Sequence, residues 1–271
     1  MERRATVDTY FTVVAYIMAS VVGLCVGSFL NVVIYRLPNK MSLAFPPSHC
    51  TSCDYTLKWY DNIPVLSYIM LGGKCRGCKS RISPRYMLVE IFNALLWVLS
   101  VLMFWEIEVK AIIYTCMAVV VSSVLICIFF IDLEHMIIYN RFTFTVAVCG
   151  LVAAGLNTTR WYDHLIGAAA GAIVFLAIYF GSILIIKREG LGFGDVKLAA
   201  AAGLLLGWQK FLLAMLIASV VGSIVLLVLR AVRKDEQGRE YPFAPFIVAG
   251  MLFALFFGDP VINWYLGLIL G

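Results

Sequence analysis

The stretch AIIYTCMAVVVSSVLICIFFI, residues 111–131, runs for 21 residues without a charged side chain. About 20 apolar residues in a helix cross the hydrocarbon core of a bilayer, so this stretch predicts a transmembrane helix. Three other charge-free runs support the same prediction, at residues 9–35, 165–186 and 211–229. We therefore expect a polytopic membrane protein.

The composition of the whole chain agrees with that expectation. Of the 271 residues, 62% are hydrophobic and 14% are charged. A soluble domain has about 45–50% apolar and about 25% charged residues. The high hydrophobicity excludes a disordered chain, and it argues against a soluble enzyme, whose core could not hide so much apolar surface.

The apolar runs between charged and turn residues predict an all-α polytopic integral membrane protein with about eight transmembrane helices. We place these helices at residues 10–34, 86–105, 111–131, 142–158, 165–186, 196–208, 211–229 and 243–258. The apolar tail at residues 261–271 is interpreted as interfacial or as an extension of the last span. No removable signal peptide is expected, because the first apolar run is long enough to span the bilayer.

The distribution of basic residues predicts the orientation. With the N-terminus outside, 16 of the 21 Lys and Arg residues fall on the cytoplasmic side, as the positive-inside rule requires. Eight of them lie in the segment 36–85, and their charge suits anionic lipid headgroups. We expect membrane lipids, and no nucleic acid, as partners of this surface.

The segment 36–85 also differs from the rest of the chain in composition. It contains five of the eight prolines and four of the eight cysteines, and it is too long for a bare connection. We predict a small cytoplasmic domain here, between a first span at residues 1–35 and a transmembrane domain at residues 86–271.

The four cysteines of this segment form two C-x2-C pairs, Cys50 with Cys53 and Cys75 with Cys78. Each pair can direct two thiolates at one tetrahedral centre, so the pattern predicts a structural zinc site that staples a loop too small for a core. One alternative is a pair of disulfides, which the reducing cytoplasm disfavours. The other alternative is four unligated cysteines.

Two carboxylates lie at predicted membrane edges. Asp132 directly follows the 111–131 run, and Asp195 lies in the motif Gly192-Phe193-Gly194-Asp195 at the mouth of the short sixth span. Acidic residues beside transmembrane segments are costly and usually functional. The predicted topology puts both on the cytoplasmic side.

If these two carboxyl groups meet, they cannot both ionise easily, so one can act as general base and the other as general acid, as in aspartic proteases. Gly192 and Gly194 would permit close approach of a substrate, and the charge of Lys197 would favour an ionised Asp195. A structural role at the interface, a helix cap for Asp195, and an ion or proton path through both aspartates stay open as alternatives.

Six short motifs together resemble the type 4 prepilin peptidases, a family of intramembrane aspartyl proteases with a Gly-x-Gly-Asp signature. They occur in that family's order, at residues 27–38, 61–67, 85–90, 131–133, 192–198 and 241–246. The resemblance extends over nearly the whole chain.

The resemblance implies a bifunctional enzyme of the bacterial inner membrane. Such enzymes cut the basic leader from prepilins or pseudopilins at the cytoplasmic face and then N-methylate the new N-terminal residue with S-adenosylmethionine. Carried onto this chain, Asp132 and Asp195 are the peptidase dyad, and the four cysteines are the zinc ligands. The methylation step is associated with the 36–85 domain, but no nucleotide-binding loop identifies where the methyl donor binds. A peptidase without methylating activity and an ion-coupled transporter are the alternatives.

Overall fold

The computed structural model describes residues 2–187, 190–232 and 241–270. The helices are α1 Glu2–Arg36, α2 Leu66–Met70, α3 Arg85–Phe104, α4 Val109–His135, α5 Asn140–Leu156, α6 Trp161–Ile186, α7 Phe193–Val232 and α8 Ala244–Leu270. No β-strand forms within these ranges, so the predicted all-α fold is confirmed. Some of the basic residues used for the orientation lie outside the described residues: Arg188, Arg233, Lys234 and Arg239.

Six helices in the described part of the chain are long and apolar enough to cross a membrane: Thr9–Arg36, Arg85–Phe104, Val109–His135, Trp161–Ile185, Phe193–Val232 and Ala244–Ile269. The sequence predicted eight spans. The difference arises because α7 contains both the sixth and the seventh, and because α5 has 17 residues. Large apolar side chains such as Leu184 and Leu227 are 79% and 66% exposed on these helices, as expected of surfaces that face lipid. The protein is a multi-pass membrane protein.

The chain divides into two compact units, Met1–Cys127 and Ile128–Gly271. In the first unit, α1 packs closely against α3 at Gly27, where an added Cβ would lie 2.7 Å from the Cα of Glu90. Small residues allow such close approach in membrane proteins. The buried Asn93 fastens the pair, since its Nδ2 donates to the Gly23 carbonyl at 2.7 Å and its Oδ1 accepts from Ser123 Oγ at 2.8 Å.

In the second unit, the later part of α7 runs antiparallel to α8. Lys210 Nζ forms an ion pair with Asp259 Oδ2 at 2.6 Å, whereas Gly222 packs on the ring of Phe246. Residue 222 therefore lies at the end of the unit where α8 begins, and residue 210 lies beside the middle of α8.

The first part of α7 begins at that same end. Asp195, in its first turn, lies within electrostatic range of Asp132, and the backbone N–H of Ala244, the first residue of α8, lies near the Asp132 carboxyl group. The chain must therefore reverse between the two parts of α7, and it does so at Gly207, whose φ of 76° favours glycine. This reversal makes α7 a helical hairpin, so the predicted sixth and seventh segments are distinct helical arms.

Candidate active site and metal centre

Asp132 lies in the last turn of α4 and is 5% exposed. A negative charge is unfavourable at a helix C-terminus, so this carboxyl group needs another source of stabilisation. The backbone N–H of Ala244 lies near the carboxyl group and belongs to the first turn of α8, where the helix dipole favours negative charge. The sequence motif at residues 241–246 therefore provides a backbone donor to the first aspartate.

Asp195 occupies the first turn of α7 and is 8% exposed. Its Oδ2 accepts from the Gly192 N–H at 3.2 Å, and its own N–H donates to the Gly192 carbonyl at 3.0 Å. This reciprocal contact fixes the carboxyl group at the helix start, as the cap alternative requires. Oδ1 has no hydrogen-bond partner among the described residues, so it stays available for chemistry.

The glycines around Asp195 are required for space. A Cβ on Gly192 would lie 3.3 Å from Asp195 Oδ2, and a Cβ on Gly194 would lie 3.1 Å from the Cβ of Ile138. A side chain at either position would crowd the carboxyl group or displace the segment that follows α4. The Gly-x-Gly-Asp motif therefore shapes the loop that carries the second aspartate.

The two carboxyl groups interact electrostatically, and both are buried. No Lys or Arg among the residues that the structure describes forms an ion pair with either of them. A pair of adjacent buried carboxyl groups without a basic partner is the arrangement that aspartic proteases use to share a proton.

Within the described residues, Lys197 forms neither a hydrogen bond nor an ion pair with Asp195. Its Nζ donates to Asn140 Oδ1 at 2.9 Å and lies 4.9 Å from the centre of the Phe193 ring. Lys197 therefore ties the start of α7 to the start of α5, which is a loop-shaping contact.

The four cysteine sulfurs all lie within 4.8 Å of one another. The Sγ atoms of Cys50 and Cys78 are 3.9 Å apart, and those of Cys53 and Cys75 are 4.0 Å apart. Tetrahedral zinc with Zn–S bonds of about 2.3 Å would separate its sulfurs by about 3.8 Å. The cluster therefore fits a metal ion, and all four cysteines are free of disulfides.

The two knuckles have matching backbone geometry. In the first, the Asp54 N–H donates to the Cys50 carbonyl at 2.9 Å, and in the second the Lys79 N–H donates to the Cys75 carbonyl at 3.1 Å. The donor residue has a positive φ in each turn, 55° for Asp54 and 62° for Lys79. The Ser52 N–H also donates a hydrogen bond to Cys50 Sγ at 3.5 Å, a contact that stabilises the thiolate form of this cysteine.

An ion pair between a buried aspartate and a half-exposed arginine braces the domain. Arg76 Nε lies 2.7 Å from Asp61 Oδ1, and the Asp61 side chain is fully buried. Burial opposes ionisation of Asp61, but the hydrogen bond from Arg76 outweighs it and holds the pKa of this carboxyl group below its usual value. Tyr55 Oη also donates to Asp61, at 3.3 Å.

Comparison with known proteins matches two regions of the chain to family models. Residues 21–104 match the model of the bacterial peptidase A24 N-terminal domain, and residues 119–227 match the type IV leader peptidase family. The prepilin leader peptidase/N-methyltransferase of Aeromonas salmonicida is 35% identical, over 92% of this chain and 92% of its own.

The chain belongs to the type IV leader peptidase family. Proteins of the same name from Myxococcus xanthus and Legionella pneumophila are 38% and 32% identical, over 86% and 93% of this chain and over 70% and 94% of their own. No solved structure matches the chain. Membership in a peptidase family gives no support to the transporter alternative.

The structure adds one site element that sequence reasoning missed, the backbone N–H of Ala244. A backbone donor carries no residue signature, so only the motif around it, residues 241–246, could have indicated its importance. Asp132 and Asp195 lie within electrostatic range of each other, and Gly192, Gly194 and Lys197 lie around the start of α7.

Proposed function

We propose that this protein removes the leader peptide of type 4 prepilins or pseudopilins and then N-methylates the new N-terminal residue, with S-adenosylmethionine as methyl donor. The observation that carries the peptidase part is the pair of buried carboxyl groups, Asp132 and Asp195, each of which has a backbone N–H close to it. The names of the relatives, which join a leader peptidase to an N-methyltransferase, support the second step.

In peptide cleavage, one carboxylate of the dyad takes a proton from a water molecule, and the oxygen of that water attacks the scissile carbonyl carbon. The other carboxyl group donates its proton to the carbonyl oxygen. When the carbon–nitrogen bond breaks, the proton taken from the water passes to the leaving amine, and the new hydroxyl on the carbonyl carbon returns a proton to the second carboxylate. The backbone donors at Gly192 and Ala244 hold each aspartate in place without neutralising it. Gly192 and Gly194 leave room for the extended substrate backbone.

The proposed location is the bacterial inner membrane, with the dyad at the cytoplasmic edge. A prepilin presents an apolar helix to the bilayer, with its leader outside the hydrocarbon core, so the scissile bond lies near the interface. Both aspartates lie at the same end of their unit, at the end of α4 and the start of α7. The basic residues of segment 36–85 would face anionic lipids.

Zinc is the proposed occupant of the cysteine cluster. Four thiolates complete a tetrahedral coordination shell and leave no open position, so the metal would hold the two knuckles together and take no part in the chemistry.

The direct test incubates the purified protein in detergent with a prepilin, with and without S-adenosylmethionine, and weighs the products. We expect a leaderless pilin without the donor, and the same product heavier by one methyl group with it. A leaderless product that never gains the methyl group would select a peptidase without methylating activity. An intact prepilin in both reactions would refute the proposed function.

A further inference from the structure

A cavity of about 690 Å³ lies within the first unit, among α1, the 36–85 segment and the start of α3. Pockets that bind small molecules commonly have volumes of about 300–1,000 Å³, so this cavity has the size of a ligand site. It does not include the aspartate dyad, which belongs to the second unit.

Asn31 gives the cavity an unused hydrogen-bond acceptor. This residue is 4% exposed and lines the cavity. Its Nδ2 donates to the Tyr86 carbonyl at 2.9 Å, which fixes the orientation of the amide. Its Oδ1 is buried and has no partner among the residues that the structure describes. Leaving a buried acceptor without a donor is costly, so the position favours a ligand that donates a hydrogen bond.

Glu90 adds a carboxyl group without a basic partner. It is 8% exposed and also lines the cavity. Its Oε2 accepts from the Val65 N–H at 2.7 Å, and the Ser28 side chain also contacts it. Among the described residues no Lys or Arg forms an ion pair with Glu90. A carboxylate buried without a counter-ion favours a cationic ligand.

Other walls of the cavity suit the rest of such a ligand. Tyr68 and Tyr86 are half-buried and offer ring faces, and the Tyr68 hydroxyl is anchored to the Ile82 carbonyl at 3.3 Å. Aromatic rings bind flat heteroaromatic groups, and they also attract cations. The exposed Arg81 lines the same cavity and can bind a carboxylate.

We infer that this cavity binds the methyl donor. S-Adenosylmethionine has a sulfonium cation, which complements the carboxylate of Glu90. Its flat adenine complements the tyrosine rings, and the adenine amino group can donate to Asn31. Its amino-acid carboxylate complements Arg81. The inference rests on the proposed methylation and adds the location of the donor site. Glu90 and Asn31 are binding residues in this account.

In the methyl transfer that this binding would serve, one bond forms and one bond breaks. The lone pair of the pilin N-terminal amine forms a bond to the methyl carbon, and the carbon–sulfur bond breaks with its electron pair going to sulfur. S-Adenosylhomocysteine leaves as a neutral thioether, and the methylated amine releases one proton to water.

The test measures donor binding apart from activity. Calorimetry with S-adenosylhomocysteine on the full chain should give saturable binding, weakened about tenfold or more by Asn31→Leu and by Glu90→Gln. Ser100→Ala serves as the control, since Ser100 is buried in α3 and does not line the cavity, and its affinity should stay unchanged. Far-ultraviolet circular dichroism of all three variants should match that of the wild-type protein, which shows that they fold.

A second measurement uses the unaltered protein. Ultraviolet crosslinking of radiolabelled S-adenosylmethionine, followed by peptide mapping, should label peptides within residues 25–90, which line the cavity. Labelling confined to residues 128–271, or unchanged affinity in both cavity variants, would overturn the inference and leave the proposed function standing. An unaltered protein that neither binds nor uses the donor would instead refute the methylation itself.

Discussion

The cysteine cluster allows the most detailed prediction. Replacing Cys50 and Cys75 with serine removes one sulfur from each knuckle. The sulfur separations of 3.9 and 4.0 Å fit zinc, whose tetrahedral shell requires about 3.8 Å, so the wild-type protein should carry about one zinc ion per chain. The double variant should carry almost none.

The metal should matter for folding because the domain has little else to hold it. Between residues 37 and 84, only Asp61 and Cys75 are buried. Structural zinc in small peptides contributes about 10–16 kcal/mol of apparent binding free energy, far more than so small an apolar core could supply. Loss of the metal should therefore unfold the segment while the membrane helices persist.

Elemental analysis and X-ray absorption measure this directly. We expect four sulfur ligands at about 2.3 Å in the wild-type protein. Trypsin should then cleave the double variant, or the wild-type protein after chelation, quickly at the basic residues of segment 36–85. Cys116→Ser is the matched control, because Cys116 lies on α4 outside the cluster. Its metal content and its cleavage pattern should equal those of the wild-type protein.

Two results would refute this reasoning. One is wild-type protein that binds no metal and yet resists trypsin in segment 36–85. The other is a double variant with unchanged metal content.

Two further predictions concern helix packing and the loop before the second aspartate. Gly27→Ala should lower the thermal midpoint, because the new Cβ would lie 2.7 Å from the backbone of α3 and overpacking costs about 1–3 kcal/mol. Gly181→Ala is its control, since nothing lies within 4 Å of an added Cβ there. Lys197→Met should slow leader cleavage about fivefold, because it removes the 2.9 Å hydrogen bond to Asn140, a loss of about 1 kcal/mol; Lys197→Arg should restore most of the rate.

Each of these two predictions has a contrary outcome. Equal thermal midpoints for Gly27→Ala and Gly181→Ala would show that α1 and α3 are not tightly packed at this point. A normal cleavage rate for Lys197→Met would show that its contact with Asn140 does not position the loop.

The helices and the two aspartates could be predicted because membrane proteins make charge rare. A carboxylate directly after 21 uncharged residues, as at Asp132, is costly enough to indicate function. The two C-x2-C pairs likewise carry a spacing that only a shared centre explains well. These features depend on residue identity, so the sequence displays them.

Other features depend on tertiary geometry and stayed hidden. The reversal at Gly207 follows from a single positive φ, while the apolar residues on both sides continue a helical pattern. The Ala244 N–H reaches Asp132 through the backbone, and any residue other than proline could supply that donor. Position in the sequence could not show what Lys197 contacts, and in the structure its Nζ donates to Asn140 Oδ1.

The most direct test of the account is the rate of leader cleavage by Asp132→Asn and Asp195→Asn. Asparagine keeps the size and the backbone hydrogen bond of each side chain but cannot exchange the proton, so each variant should lose at least about 10³-fold in kcat. Asp163→Asn, at the start of α6 where Asp163 accepts from Trp208 Nε1 at 3.2 Å, should keep the wild-type rate. A folded Asp132→Asn or Asp195→Asn variant that cleaves the leader at a rate close to that of the wild-type protein would contradict the dyad.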